Sequence, residues 1–153
     1  MATTNARITL DHIALASSDL AESLGKLAQI FPSAASEVEE VSSEGVRLAF
    51  IDVGGPRLEV LESTREDSAV ARYLEKRPAG IHHLSFRVDG VSIDDWFEEL
   101  RSRGVEVLGD GPTEGSGDTR IFFVHPRSTG GLLVEFSQKR AESAPTEKSE
   151  NKS

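Results

Sequence analysis

Cysteine is absent from all 153 residues, which excludes disulfides, thiolate metal ligands and cysteine nucleophiles together. Any bound metal must therefore rest on His, Glu, Asp or Gln. Aromatic residues are sparse, with one Trp, one Tyr and seven Phe, which argues against a pocket built by stacking rings. No apolar run reaches the roughly 18 residues of a membrane-spanning helix, and Met1 to Arg7 lacks the apolar core of a signal peptide. The expectation is a soluble, cytoplasmic protein. Basic side chains are outnumbered 26 to 17, a net charge of −9, which disfavours nucleic acid or an anionic membrane as partner. A few local arginines can still hold a small anion.

What the chain does have is a repeated pattern. Ile8 to Ala16 (ITLDHIALA) alternates as a strand, and Ser17, Ser18 and Asp19 offer N-caps for a helix to about Ile30, stopped by Phe31-Pro32. Strand candidates follow at Ser36 to Val41, Val46 to Val53 and Arg57 to Leu61. A short helix after Asp67-Ser68, about residues 67–77, connects the halves, with Asp67 read as its cap. The second half repeats the order: strand Ile81 to Val88, a helix from about Ser92 to Arg103 presenting Trp96 to the core, then strands Val105 to Leu108, Thr119 to Val124 and Leu132 to Ser137. The predicted fold is α+β, with two paired βαβββ modules, about 8–63 and 80–138, forming one curved mixed sheet around a cleft. Residues 139–153 are polar and read as a disordered tail.

Superposing DHIALA on HHLSFR places His12 over His83, not over His82. Since strand side chains alternate, His83, Ser85 and Arg87 share one face, and His82, Leu84 and Phe86 share the other. The bulky apolar pair marks the helix-packed face, so His83 points to the cleft and His82 supports it. Glu59 in RLEVLES and Glu135 in LLVEFSQ interrupt matching closing strands. Together His12, Glu59, His83 and Glu135 form a nitrogen and oxygen set suited to Co, Mn, Ni, Fe or Zn. Solvated strand residues and a pocket without metal are the competing readings. His125, before Pro126, reads as a turn residue. The loop GDGPTEGSGD lacks the lysine and strand-turn-helix context of a phosphate loop, although its backbone amides could cradle a ligand.

The runs DHIAL, EGVRLAFIDVGGPRLEVLE, DSAVARYLEKRPAGIHHLSFRVD and FFVHPRSTGGLLVEFSQ resemble the methylmalonyl-CoA epimerase family, in the vicinal oxygen chelate superfamily of glyoxalase I and extradiol dioxygenases. The likeness covers about Leu10 to Gln138. It implies a divalent metal on His12, His83 and Glu135, with Glu59 as fourth ligand, an acyl-CoA thioester as substrate, and two carboxylates exchanging an α-proton between opposite faces. Glu135 is the first of these. The second is displaced: where the family carries glutamate this chain has Ser43, and Glu44 stands one place later as the candidate base. Arg120, Arg127 and Lys139 are candidates for the coenzyme phosphates. A glyoxalase-like lyase, a related acyl-CoA epimerase, an extradiol dioxygenase and a non-catalytic binding protein are the alternatives. Open sheet edges suggest a homodimer.

Overall fold

The computed structural model describes residues 5–140. Its elements run β1 (Arg7–Ser17), α1 (Leu20–Leu27), β2 (Glu39–Val41), β3 (Val46–Ile51), β4 (Arg57–Ser63), α2 (Ala69–Lys76), β5 (Gly80–Asp89), α3 (Ile93–Ser102), β6 (Thr113–Glu114), β7 (Thr119–Val124) and β8 (Val134–Lys139). Strand, helix and three strands occur twice, joined by α2. The eight strands make one sheet in the order β2-β3-β4-β1-β5-β8-β7-β6. Each module contributes one parallel pairing, β1 with β4 and β5 with β8, and the opening strands β1 and β5 pair antiparallel at the centre.

Local chemistry sets the element ends. Asp19 caps α1 by accepting from the Glu22 amide, and Ser68 and Ser92 do the same for α2 and α3. The cap of α2 is thus Ser68, the neighbour of the expected Asp67. Helix α1 stops at Leu27, three residues before the expected Ile30, and the amides of Ala28 to Phe31 tie back to Leu24, Lys26 and Leu27 as turns. Strand β2 is shorter than expected: Ala35 makes only an isolated bridge to Ile51.

The expected strand Val105 to Leu108 is not one. Val107 makes a single bridge to Val124, and the sixth strand is instead Thr113–Glu114. Val105 and Val107 are partly buried against the α3 cluster, so their alternation reflects packing on a helix and not a place in a ladder. Strand β8 reaches Lys139, one residue into the segment expected as tail. The remainder of that segment, from 141, lies outside the described residues.

Two cores lie on opposite faces of the sheet. In the second module Val88, Phe122 and Phe136 pack against Ile93, Trp96, Phe97 and Leu100 of α3, with Phe97 and Phe122 edge to face at 5.2 Å. In the first, Ala14, Ala16, Leu48 and Leu61 pack against Val70 of α2, on the side that carries His12. Helix α2 therefore covers one end of the cleft, a role beyond that of connector. At the rim Glu39 of β2 accepts from the Gly117 amide at 2.9 Å, joining the two ends of the sheet.

Candidate metal centre

Adjacent rungs of the sheet assemble the centre. Along one, Arg57 of β4 stands beside His12 of β1, His12 beside Ser85 of β5, and Ser85 beside Glu135 of β8. Along the next, Glu59 stands beside Ala14 and Ala14 beside His83. Curvature turns these residues toward one another across a cavity of about 510 Å³ lined by His12, Glu59, His83 and Glu135. Ala14 is fully buried, and its single methyl leaves the space between Glu59 and His83 open.

Three of the four expected ligands come together closely: one ligand atom from each of His12, His83 and Glu135 lies within 4.8 Å of the others. His12 Nε2 is 3.6 Å from Glu135 Oε1, and His83 Nε2 is 3.6 Å from Glu135 Oε2. Glu59 approaches His12 Nε2 at 3.5 Å but stands outside that triad. All four are buried, between 3 and 6 % exposed.

The chemistry of this set fits a divalent cation. Both imidazole Nε2 atoms are buried with no hydrogen-bond partner, which proteins rarely tolerate without a ligand to satisfy them. They face carboxylate oxygens at distances too long for a good hydrogen bond. Two nitrogens and a carboxylate aimed at one point suit the borderline metals of the first transition row and leave coordination positions over.

Electrostatics mark the same residues. Burial pushes the Glu135 carboxyl up to about 8, His12 opposing and Glu59 adding to the rise. Burial likewise raises Glu59, against the pull of His12. His83 falls well below the usual imidazole range through burial and the neighbouring rings of His82 and His12. His12 goes the other way: burial opposes its charge, but the Asp11 hydrogen bond and the nearby carboxylates raise it overall.

A match to the glyoxalase/bleomycin resistance protein/dioxygenase superfamily spans residues 11–123. The methylmalonyl-CoA epimerase of Mus musculus is 30% identical over 84% of this chain and 72% of its own length. The ethylmalonyl-CoA/methylmalonyl-CoA epimerase of Cereibacter sphaeroides is 31% identical over 84% and 96%. The chain belongs to the methylmalonyl-CoA epimerase family. A variant of the Streptomyces coelicolor methylmalonyl-CoA epimerase in complex with 2-nitronate-propionyl-CoA superposes on this epimerase-family fold with a TM-score of 0.79. It is 34% identical and covers 86% of this chain and 97% of its own.

The displaced glutamate, Glu44, lies between β2 and β3. Ser42 to Gly45 is a turn, not strand, so a one-residue offset need not flip a side chain to the other face. Ser43 is exposed, whereas Glu44 is half-buried and lines the cavity. Gly45, at φ +66°, permits the turn, and a Cβ there would meet the Arg65 guanidinium at 2.8 Å. Arg65 holds the turn by donating to the Ser42 carbonyl at 2.8 Å. Burial raises Glu44, with Arg65 opposing.

Four residues at the centre went unread in the sequence as functional. Ser85 donates to Glu135 Oε1 at 2.7 Å. Asp11 stands 2.6 Å from His12 Nδ1, Arg57 donates to Asp11 at 3.3 Å, and the Arg57 guanidinium lies 3.9 Å over the Phe50 ring. The only signal for Asp11 was its adjacency to His12, and for Ser85 its shared face with His83. His125 is the expected turn residue: its Nδ1 accepts from the Arg127 amide at the start of a 3-10 turn. Of the cations singled out for phosphates, Arg120 is engaged by Asp94 and Arg127 by Glu106. Lys139 lines the cavity, as does Arg87.

Proposed function

We propose that this chain interconverts (2R)- and (2S)-methylmalonyl-CoA by moving the α-proton between Glu44 and Glu135. The observation that carries the proposal is a half-buried carboxyl in the turn before β3, Glu44, and a buried one on β8, Glu135, lining one cavity beside a metal-ligand triad. An α-carbon between a thioester and a carboxylate is weakly acidic, and direct inversion needs a proton acceptor on one face and a donor on the other. A divalent cation held by His12, His83 and Glu135, with Glu59 alongside, would supply Lewis acidity that lowers the cost of charge on the thioester oxygen.

The chain's own residues do the rest. Burial raises Glu44, bringing a carboxyl that is ordinarily ionised at neutral pH toward the range where a proton can be held or released. Of Glu44 and Glu135, one removes the proton as carboxylate, and the other, as acid, delivers a proton from the opposite face. The pair ends with its protonation reversed and resets by exchange with solvent. Ser85 occupies Glu135 Oε1 and keeps that carboxyl in one orientation. Val46, Leu48, Phe50 and Leu61 give the cavity apolar walls around the acyl group. Arg87 and Lys139, two and four residues along their strands from Ser85 and Glu135, face the same cavity and suit the anionic coenzyme portion.

Among the described residues no helix is long and apolar enough to cross a membrane. We propose a homodimer, which light scattering during size-exclusion chromatography checks. The function itself is tested by incubating metal-loaded protein with (2R)-methylmalonyl-CoA in deuterium oxide and following stereochemistry and α-deuteration. The expected result is deuterated (2S) product, and no exchange at saturating metal overturns the reading.

A further inference from the structure

The two metal-ligand histidines carry different partners on Nδ1, the nitrogen that does not face Glu135. Behind His12 Nδ1 stands the Asp11 carboxylate at 2.6 Å, itself held by Arg57 at 3.3 Å. Behind His83 Nδ1 stands His82 Nδ1 at 2.8 Å, and the His82 ring packs edge-on against Tyr73 at 5.2 Å. Tyr73 in turn donates to the Ile81 carbonyl at 3.0 Å, tying α2 to the start of β5.

We propose that Asp11 and His82 are positioning residues that fix the tautomers of His12 and His83, each accepting an Nδ1–H so that the Nε2 lone pair faces the metal. A carboxylate can only accept, so the neutral His12 ring must carry its proton on Nδ1. The unpartnered His12 Nε2 is then a bare lone pair directed at Glu59 and Glu135. His83 Nε2 is equally unpartnered, and its lone pair is available only if Nδ1 donates to His82. His82 then carries its own proton on Nε2. Outer partners of this kind orient the ring and raise its basicity toward a metal, and their loss weakens metal binding by about 10- to 100-fold. A carboxylate does this more strongly than an imidazole, so Asp11 has the larger effect.

Arg57 and Phe50 complete the first arrangement. Stacked on Phe50 at 3.9 Å, the guanidinium keeps Asp11 directed at His12, and Phe50 touches the His12 ring edge-on at 5.7 Å. The inference rests on the metal-centre reading and not on the substrate. It is therefore tested without turnover, by titrating Co2+ into the full-length chain against a competing chelator. Asp11→Ala should weaken Co2+ binding by about 10- to 100-fold, Asp11→Asn by less, and His82→Phe by a smaller factor that His82→Gln restores. Wild-type affinity in Asp11→Ala overturns the proposal for Asp11, and wild-type affinity in His82→Phe overturns it for His82. Should Asp11→Ala fail to fold, the two-bond 1H–15N spectrum of the metal-free wild-type chain decides. Recorded at a pH where both rings are neutral, a proton on Nδ1 of His12 and of His83 supports the assignment, and a neutral ring protonated on Nε2 instead overturns it. A chain that passes this test yet exchanges no deuterium would refute the epimerase reading alone.

Discussion

The two modules place the same residues at equivalent rungs and then dress them differently. In the first, Ala14 lies between Glu59 and His83; in the second, Ser85 lies between His12 and Glu135. Ala14 offers Glu59 nothing, whereas Ser85 donates to Glu135 at 2.7 Å. The histidines are dressed the opposite way, with a carboxylate behind His12 and an imidazole behind His83. The turn after β2 carries Glu44 into the cavity, while the corresponding turn after β6 brings Gly115, Ser116 and Gly117. Duplication sets His12, Glu59, His83 and Glu135 at equivalent rungs of a near-symmetric frame, and three of them form the triad. The departures from symmetry decide which carboxylate joins the triad and from which side a proton can come.

The largest effect should come from replacing one of the two closing-strand glutamates, Glu135. Glu135→Gln removes a metal ligand and a proton carrier together, so turnover should fall by about 10³-fold or more. Glu59→Gln, outside the triad, should cost about tenfold, seen as weaker metal affinity at nearly normal saturated turnover. Equal losses in the two variants would erase the distinction drawn between the modules. Next in size, Glu44→Ala should slow epimerisation by about 10²- to 10³-fold while Co2+ affinity stays within about threefold. Normal turnover would remove Glu44 from the mechanism. Ser85→Ala makes the second module resemble the first, and its expected cost is about tenfold in Co2+ affinity, as fits a lost hydrogen bond to a carboxylate. Unchanged affinity would show that Glu135 is held by the metal alone.

The smallest effect concerns pH. Burial, with Arg77 adding, lowers His82 to about 4, so between about 6.5 and 4 the unfolded chain binds a proton there that the folded chain does not. The folded state then loses stability as pH falls through that window. His83, also lowered by burial, acts in the same direction below 6.5. In chelator-treated protein the melting midpoint of the wild type relative to that of His82→Phe should fall from pH 6.5 to 4, since the raised Glu44, Glu59, Glu135 and His12 are common to both. Parallel slopes would assign the loss to other groups.

Much of this was legible in the sequence because it rests on period two. His83 and Ser85 fall on one face, Leu84 and Phe86 on the other, and superposing the halves pairs His12 with His83 without any coordinates. Glu59 and Glu135 followed from polar residues interrupting apolar strands. Alternation failed at Val105 to Leu108, where the valines serve the α3 core and the ladder is made by Thr113–Glu114. Spacing also could not show that Glu44 enters the cavity, because the direction of a turn residue depends on Gly45 and on an arginine twenty residues downstream. Nor could it separate Glu59 from Glu135, since both interrupt apolar strands and the neighbour that distinguishes them, Ala14 or Ser85, lies on another strand.

The strand order has a temporal side. Strand β8 is the last of the eight along the chain, yet it sits inside the sheet between β5 and β7. A nascent chain on the ribosome can finish the first module, with His12 and Glu59, and even lay β5 with His83 beside it, while the slot for β8 is still open. The triad of His12, His83 and Glu135 is complete only once β8 pairs with β5. A chain truncated before Val134 lacks Glu135 and should therefore hold Co2+ more weakly than the full chain.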